Sequence, residues 1–307
     1  MRPLIVRLRN YVGDVVLSLP ALELLQSNGY APHLVGKPWV GQLLEAYGWT
    51  TTPRAGAFLD RVRQLRELRR QSAMLDPGFD GRENMLVLPN AFSGALEPRL
   101  AGLRAVGHGT EGRSWLLSRA ERPLWGHALQ HFWALSCRFL GVDLPAPKQI
   151  GLRTSRSDQQ LADELLRRHG VRPGFVALCP FAGGVFEDQQ KVWPAFAPLV
   201  QILTQKGRDV VCCPGPTDQG AERLVGSRLI HGIDLGVYGG ILRRAALVVA
   251  NDTGPGHLAA AVGVPTVSVL GPTVPEQWAP WGPTVTVVRR WPRWPTVHEV
   301  MEATGLA

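Results

Sequence analysis

The sequence predicts an α/β protein of two Rossmann-like domains, each built on a parallel sheet. Three observations carry this expectation. Short apolar runs alternate with longer helical stretches in both halves, a glycine turn follows the first apolar run, and a proline-containing polar stretch separates the halves. The chain has 307 residues, which suits two domains of ordinary size.

The first run, residues 4–8, reads as a strand despite its arginines. Asn10-Tyr11-Val12-Gly13-Asp14 then turns into an apolar helix over 15–25, with Pro20 expected near the helix start because an interior proline removes a backbone donor. Strands follow over 31–35 and 85–88, and helices over 40–47 and 58–70. The stretch 115–142 is aromatic-rich and reads as helical. Pro145-Ala146-Pro147 and the polar residues after it put the boundary near 145–157, giving domains of 1–150 and 151–307. In the second half the pattern predicts helices over 158–169, 195–205, 219–228, 239–245 and 257–262. Strands are expected over 175–179, 209–213, 246–250 and 266–270. Strands and helices at this spacing mean parallel sheets in both halves.

Composition narrows the function classes. Hydrophobic residues make up 45% and charged residues 19%, enough for a buried core. The net charge of +8 favours an anionic partner without choosing among nucleic acid, nucleotide, phosphorylated substrate and lipid surface. No signal-peptide core and no membrane-spanning run is visible. The four cysteines, Cys137, Cys179, Cys212 and Cys213, form no CxxC pair and no zinc spacing, and Cys212 and Cys213 read as small core residues. These features fit a reducing cytosol. The GxGxxG, Walker A, GxSxG and HExxH motifs are absent, as is any DxD pair that would hold a metal on a sugar diphosphate. A nicotinamide oxidoreductase is disfavoured on that ground. A nucleic-acid module is disfavoured because the aromatics sit in Trp/Pro loops and the middle helix, apart from the basic clusters.

The sharpest local signal is Leu247-Val248-Val249-Ala250-Asn251-Asp252-Thr253-Gly254-Pro255-Gly256-His257. A strand ends in polar residues and a small-residue helix begins after Pro255-Gly256. Its free N–H groups and dipole suit a phosphate, and Gly254 and Gly256 let the backbone approach it. The same residues also fit a glycine turn capped by Asp252, and His257 fits either a phosphate donor or a cap. Gly271-Pro272-Thr273 follows the next strand, with Thr273 offering a hydroxyl. Pro180-Phe181-Ala182-Gly183-Gly184 follows the first strand of this half, and Lys191 stands ahead of a helix opened by Pro194. A lysine gains nothing from a helix N-terminus unless an anion lies between them.

In the first half, Asp14 reads equally as a helix cap and as a general base. Its place at a helix start is expected to lower its pKa. Arg54, Arg61, Arg63, Arg66, Arg69 and Arg70 face only Asp60 and Glu67 locally, among Leu59, Val62, Leu65 and Leu68 at helical spacing. That basic amphipathic helix suits an anionic membrane or acceptor, or is an ordinary solvated face.

These motifs together resemble the ADP-heptose:lipopolysaccharide heptosyltransferases of glycosyltransferase family 9, nearer the heptosyltransferase II branch. Asn10 to Asp14 is similar to the family's N-terminal glycine–aspartate motif, and Leu88-Pro89-Asn90-Ala91-Phe92 to its Leu-Pro-Asn-Ser-Phe run. The resemblance implies a GT-B architecture, two Rossmann-like domains with parallel sheets facing across a cleft, and inverting transfer without metal or other cofactor. Asp14 falls on the family's proposed base. Gly183, Gly184, Lys191, Asp252, Thr253, Gly254, His257 and Thr273 fall on its donor site, and Glu222 on a glutamate that reads the ribose. Residues 1–150 would bind the acceptor and 151–307 the nucleotide sugar. The implied partners are ADP-heptose and an anionic lipopolysaccharide core, met by a cytoplasmic monomer in peripheral contact with the inner membrane, with no nucleic acid. Another nucleotide sugar or an epimerase of the same fold is the alternative. Val192, where an arginine is common, the Pro255-Gly256 pair and the segment Trp291 to Pro295 depart from the pattern.

Overall fold

Leu4, Ile5 and Val6 are successive apolar residues and all fully buried, as a strand covered on both faces requires. The structure, a computed structural model, describes residues 1–183, 185–186 and 189–306, with backbone only at 185, 186 and 190. The chain divides into two compact units, Met1–Pro147 and Lys148–Ala307.

The first unit runs β1 (Arg2–Arg7), α1 (Val12–Ser27), β2 (Tyr30–Gly36), α2 (Val40–Leu43), β3 (Thr50–Pro53) and α3 (Phe58–Leu75). It continues through β4 (Met85–Val87), α4 (Phe92–Ala101), β5 (Ala105–His108), β6 (Arg119–Glu121) and α5 (Ala128–Leu140). The sheet order is β3-β2-β1-β4-β5-β6, all parallel. The chain leaves β1 toward one edge and returns to β4 on the other side, so the winding reverses between β1 and β4. On one face Val62, Leu65 and Leu68 of α3 and Ala95 of α4 pack on Ile5, Val35, Met85 and Val87. Helix α1 packs against α5.

The second unit runs α6 (Arg156–Arg168), β7 (Val176–Cys179), β8 (Val185–Phe186), β9 (Gln189–Gln190), α7 (Phe196–Gln205), β10 (Val210–Cys212) and β11 (Arg228–Leu229). Then come α8 (Leu235–Arg244), β12 (Leu247–Asn251), α9 (Gly254–Val262), β13 (Thr266–Leu270), α10 (Pro275–Trp278), β14 (Val285–Arg289) and α11 (Val297–Thr304). The parallel sheet has the order β11-β10-β7-β12-β13-β14 and reverses between β7 and β12, while β8 and β9 form a separate antiparallel pair. Leu199, Val200 and Leu203 of α7 and Val300 and Met301 of α11 cover Val176, Leu178, Val249 and Val267.

Several elements differ from the expectation. Pro20 lies deep inside α1, and burial around the helix holds it there despite the missing donor. The stretch 40–47 breaks into α2 and a 3-10 turn, Glu45–Tyr47. The first third of 115–142 is a 3-10 turn and β6. The predicted helix over 219–228 is only the turn Ala221–Arg223, because Gly220 and Gly226 take positive φ on either side. Helix α8 starts at Leu235, where Asp234 accepts from the Val237 amide at 3.0 Å. Strands β3, β5, β6, β8, β9, β11 and β14 and helices α4, α10 and α11 lie outside the sequence expectation. Among the described residues no helix is long and apolar enough to cross a membrane.

Candidate active site

Open α/β sheets bind ligands beyond the carboxyl ends of their strands, where the winding reverses. In the second unit that place is the end of β7 and β12, with β13 alongside. Asp252 follows β12, and its Oδ2 accepts from Thr273 Oγ1 at 2.6 Å and from Lys191 Nζ at 2.5 Å. The sheet register thus joins three polar residues from separate segments.

Three expectations change here. Asp252 is not the cap of α9: Thr253 holds that position, with no side-chain cap bond. Lys191 does not stand over a helix dipole either, because α7 begins at Phe196 and the ammonium pairs with Asp252. Helix α9 starts at Gly254 rather than after Gly256, with Pro255 in its first turn. By position the amides of Gly254 and Gly256 have no acceptor within the helix, and Pro255 has no amide hydrogen. Gly256 serves packing: a Cβ there would stand 3.1 Å from Ala250 Cβ and from Asn251 O, so glycine lets α9 close on β12. His257 is buried, and its amide makes a 3.3 Å bond to Thr253 O. Gly183 is exposed after β7, and Gly184 lies outside the described residues. Glu222 is exposed on the turn after β10, two strands from β12.

Asn251, quoted in the sequence motif without a role, braces the cluster. Its Oδ1 accepts from the Trp193 amide at 3.0 Å, and its Nδ2 donates to Pro180 O. It therefore fixes both the loop after β7 and the segment that carries Lys191. Trp193 in turn donates from Nε1 to Pro295 O at 2.8 Å, and the Trp294 ring fills the space a Cβ at Gly271 would need. The segment from Trp291 to Pro295 is thus scaffolding for the cluster. Asn251→Ala should leave the buried Trp193 amide without an acceptor and cost about 1–3 kcal/mol. Thermal unfolding checks this, and a loss below a few tenths of a kcal/mol contradicts it.

In the first unit, Asp14 is the third residue of α1, and Tyr11 is the helix cap without any side-chain bond. The capping alternative therefore falls away. Asp14 Oδ1 accepts from Arg9 Nη1 at 3.4 Å, and the carboxyl is largely buried. Its pKa is raised, contrary to expectation: burial pushes it up, and Arg9 only partly opposes this. Arg9 is held by Leu88 O, 3.2 Å from its Nε, and its guanidinium carbon lies 5.2 Å from the Phe132 ring centre. Arg113 donates to His108 O and to Ala91 O, both at 2.9 Å, so the residues 88–92 that carry the family run anchor two arginines. His108 and His131 stand edge to face at 6.0 Å. Burial, with His131 and Arg9 adding to it, lowers His108 to about 4.

Arg7 turns away from this cluster. It is buried against Glu97 at 3.1 Å, where Arg54 and Arg61 also bind, at 3.2 and 2.6 Å. On α3, Arg63 pairs with Asp60, Arg70 with Glu67 and Arg69 with Asp80, while Arg66 donates to Leu100 O. Leu59 is exposed rather than part of the apolar stripe. Tertiary contacts thus bring in Glu97 and Asp80 and neutralise much of the basic helix. All four cysteines are free and buried, and burial pushes Cys179 up to about 12. Among the described residues no group of three or more His, Cys, Asp or Glu is placed to hold a metal.

The sequence profile of glycosyltransferase family 9 (heptosyltransferase) matches residues 80–305. Lipopolysaccharide heptosyltransferase 3 of Escherichia coli (strain K12) is 29% identical over 147 residues, 43% of this chain and 41% of that one. The alignment therefore takes in less than half of that relative. The structure of E. coli ADP-heptose lps heptosyltransferase II has a TM-score of 0.78 at 22% identity, covering 99% of this chain and 98% of that one. The E. coli heptosyltransferase WaaC with ADP gives 0.73 at 19% identity, covering 98% of both. These likenesses show the fold, which is GT-B, with two parallel six-stranded sheets. With the profile spanning most of the chain, including Lys191, Asp252 and Thr273, the chain belongs to glycosyltransferase family 9, the heptosyltransferase family.

Proposed function

We propose that this protein moves a heptose from ADP-heptose to the inner core of lipopolysaccharide by a single inverting displacement. The observation that carries the reading is the Lys191–Asp252–Thr273 cluster beside the uncapped start of α9, at the strand ends where the second sheet reverses. Solved relatives with ADP and with an ADP-heptose analogue share this fold and support the choice of donor.

In this scheme an acceptor hydroxyl gives its proton to the Asp14 carboxylate while its oxygen bonds to the anomeric carbon. The bond from that carbon to the diphosphate oxygen breaks on the opposite face, and ADP leaves with the electron pair. Lys191 uses one N–H on Asp252 and has two more for the diphosphate, joined by the amides at Gly254 and Gly256. Asp252 and Thr273 aim the ammonium, His257 supports the start of α9, and Glu222 reads the ribose hydroxyls. The chain works as a cytoplasmic monomer that meets its anionic, lipid-anchored acceptor at the inner membrane. With most arginines of α3 ion-paired, that encounter relies on the acceptor more than on a basic helix.

A thermal-shift panel of ADP-, GDP-, UDP- and dTDP-linked compounds tests the donor. A ligand at one hundred times its dissociation constant stabilises the native state by about 2.7 kcal/mol. ADP and ADP-heptose should raise the melting temperature by several degrees, and UDP clearly less. A larger effect from UDP overturns the donor assignment. Lys191→Met should lower kcat by about 10²–10³-fold, the usual loss for one donor to a developing anion. Strict dependence of the wild-type enzyme on a divalent ion would overturn the assignment of that charge to Lys191. Conversion of the nucleotide sugar without acceptor would instead mark an epimerase.

A further inference from the structure

Arg9 belongs to neither the donor cluster nor the base as described, yet its position is built from three sides. Its Nε is committed to the carbonyl at the end of β4, its guanidinium lies over the Phe132 ring of α5, and one terminal N–H reaches Asp14 Oδ1. Among the described residues nothing donates to Asp14 Oδ2, so the pair leaves one carboxylate oxygen uncommitted. A guanidinium fixed this way cannot follow the carboxylate, and its charge stays where the fold puts it.

The elements packed on α1 supply the other charges to be weighed. From α5 these are His131 and Arg138, with His127 as its cap, from β2 His33, and from α1 itself Glu23. His108 at the end of β5 and Arg113 beyond it complete the surroundings of Arg9. His33, bonded to Thr52 Oγ1 at 2.7 Å, is kept toward its neutral form by burial, as are His108 and His131. Arg138 and Arg113 act on His108, and Arg9 is the charge that acts on the Asp14 carboxyl.

We propose that Arg9 is a positioning residue for catalysis: it holds the buried Asp14 ionised through Oδ1 and leaves Oδ2 to take the acceptor's proton. The proposal rests on Asp14 being the base, and two readouts keep the ideas separate. The first is the ¹³C carboxyl resonance of Asp14, assigned by its loss in Asp14→Asn and titrated in the wild type, Arg9→Met and Arg9→Lys. The second is the acidic limb of kcat/KM against pH in the same proteins, with ADP-heptose and a soluble core acceptor.

Loss of a cation a few ångströms from a carboxylate raises the titration midpoint by about 1–2 units at this exposure. Arg9→Met should move the Asp14 resonance midpoint upward by that amount, and Arg9→Lys should return it most of the way. The acidic limb should move with it, so that rate lost at neutral pH is partly regained as pH rises. An unmoved resonance overturns the proposal, and with it a rise in acceptor KM equal at all pH values would make Arg9 an acceptor contact. A resonance that moves while the acidic limb stays upholds the Arg9–Asp14 coupling and removes Asp14 from the role of base.

Discussion

Asp14→Asn is expected to lower kcat by about 10²–10⁴-fold, the range for loss of a positioned general base. ADP binding should remain near wild type, because the residues proposed to hold the donor all lie in the second unit. The same substitution should leave the melting temperature at neutral pH equal to or above that of the wild type. Burial raises the carboxyl above its ordinary value of 3.8, with Arg9 opposing, so the folded chain binds this proton more tightly than the unfolded chain. Such a group favours the folded state in acid and loses that contribution as pH rises from the ordinary value through the raised one. At neutral pH the ionised carboxylate therefore opposes folding, and a neutral amide of the same shape removes that cost. Steady-state kinetics and thermal unfolding on one preparation check both halves. Full turnover in the variant removes the base assignment, and a large fall in melting temperature would make Asp14 a structural residue.

The parts of the fold that the sequence displays are those with buried, uninterrupted apolar residues. Strands β1, β4, β7, β10, β12 and β13 are inner strands with buried apolar runs, while β2, also inner, alternates buried and half-buried positions before its buried Leu34-Val35. Strands β3, β6, β11 and β14 close the sheets at their edges, where one side of the ladder is open and polar residues are tolerated. Thr50-Thr51-Thr52-Pro53 and Arg119-Ala120-Glu121 carry no apolar run to detect, and only pairing with a formed sheet makes them strands. The inner strand β5 is missed for another reason: Ala105-Val106-Gly107-His108 is short and contains a glycine whose Cβ would stand 3.0 Å from Val87 O. Trp115 and Trp125 err in the opposite direction: the aromatic-rich stretch reads as helical from 115, but Trp115 lies in a 3-10 turn, Trp125 precedes α5, and both side chains are exposed.

The site was legible to the same degree. Asp252, Thr253 and Gly254 could be placed because a strand end and a helix start are adjacent in sequence. The contact of Lys191 and Thr273 with Asp252 could not, because it depends on which strands lie side by side. The direction of the Asp14 shift was also hidden, since a helix position is local and burial is tertiary.

Glu97 shows the same limit with the largest consequence for stability. It lies on α4 between Leu96 and Pro98, and nothing near it in sequence marks it. In the fold its carboxylate, with 1% of the side chain exposed, receives Arg7 from the end of β1, Arg54 after β3 and Arg61 from α3. One anion holds three cations, so it compensates more desolvation than an isolated pair. Arg7 shows the strain on that balance: burial, then the Arg54 charge, lower it to about 10 against the pull of Glu97. The Nε atoms of Arg7 and Arg54 are already buried without a hydrogen-bond partner, so no spare acceptor stands ready. Glu97→Gln keeps the shape and removes the charge, leaving three guanidinium groups facing one another. The expected loss is about 3–5 kcal/mol, the cost of breaking a buried pair by removing one partner, or a fall in melting temperature on the order of 10 °C. Arg7→Met should cost less, because Glu97 keeps two arginines and the methionine fills the vacated space. The double variant should fall short of the sum of the singles by about 0.5–3 kcal/mol, since both act on one contact. Thermal and urea unfolding of the four proteins measure this cycle. A loss below about 1 kcal/mol in Glu97→Gln would mean that the arginines recover their solvation without it, and that Glu97 does not hold β1, α3 and α4 together.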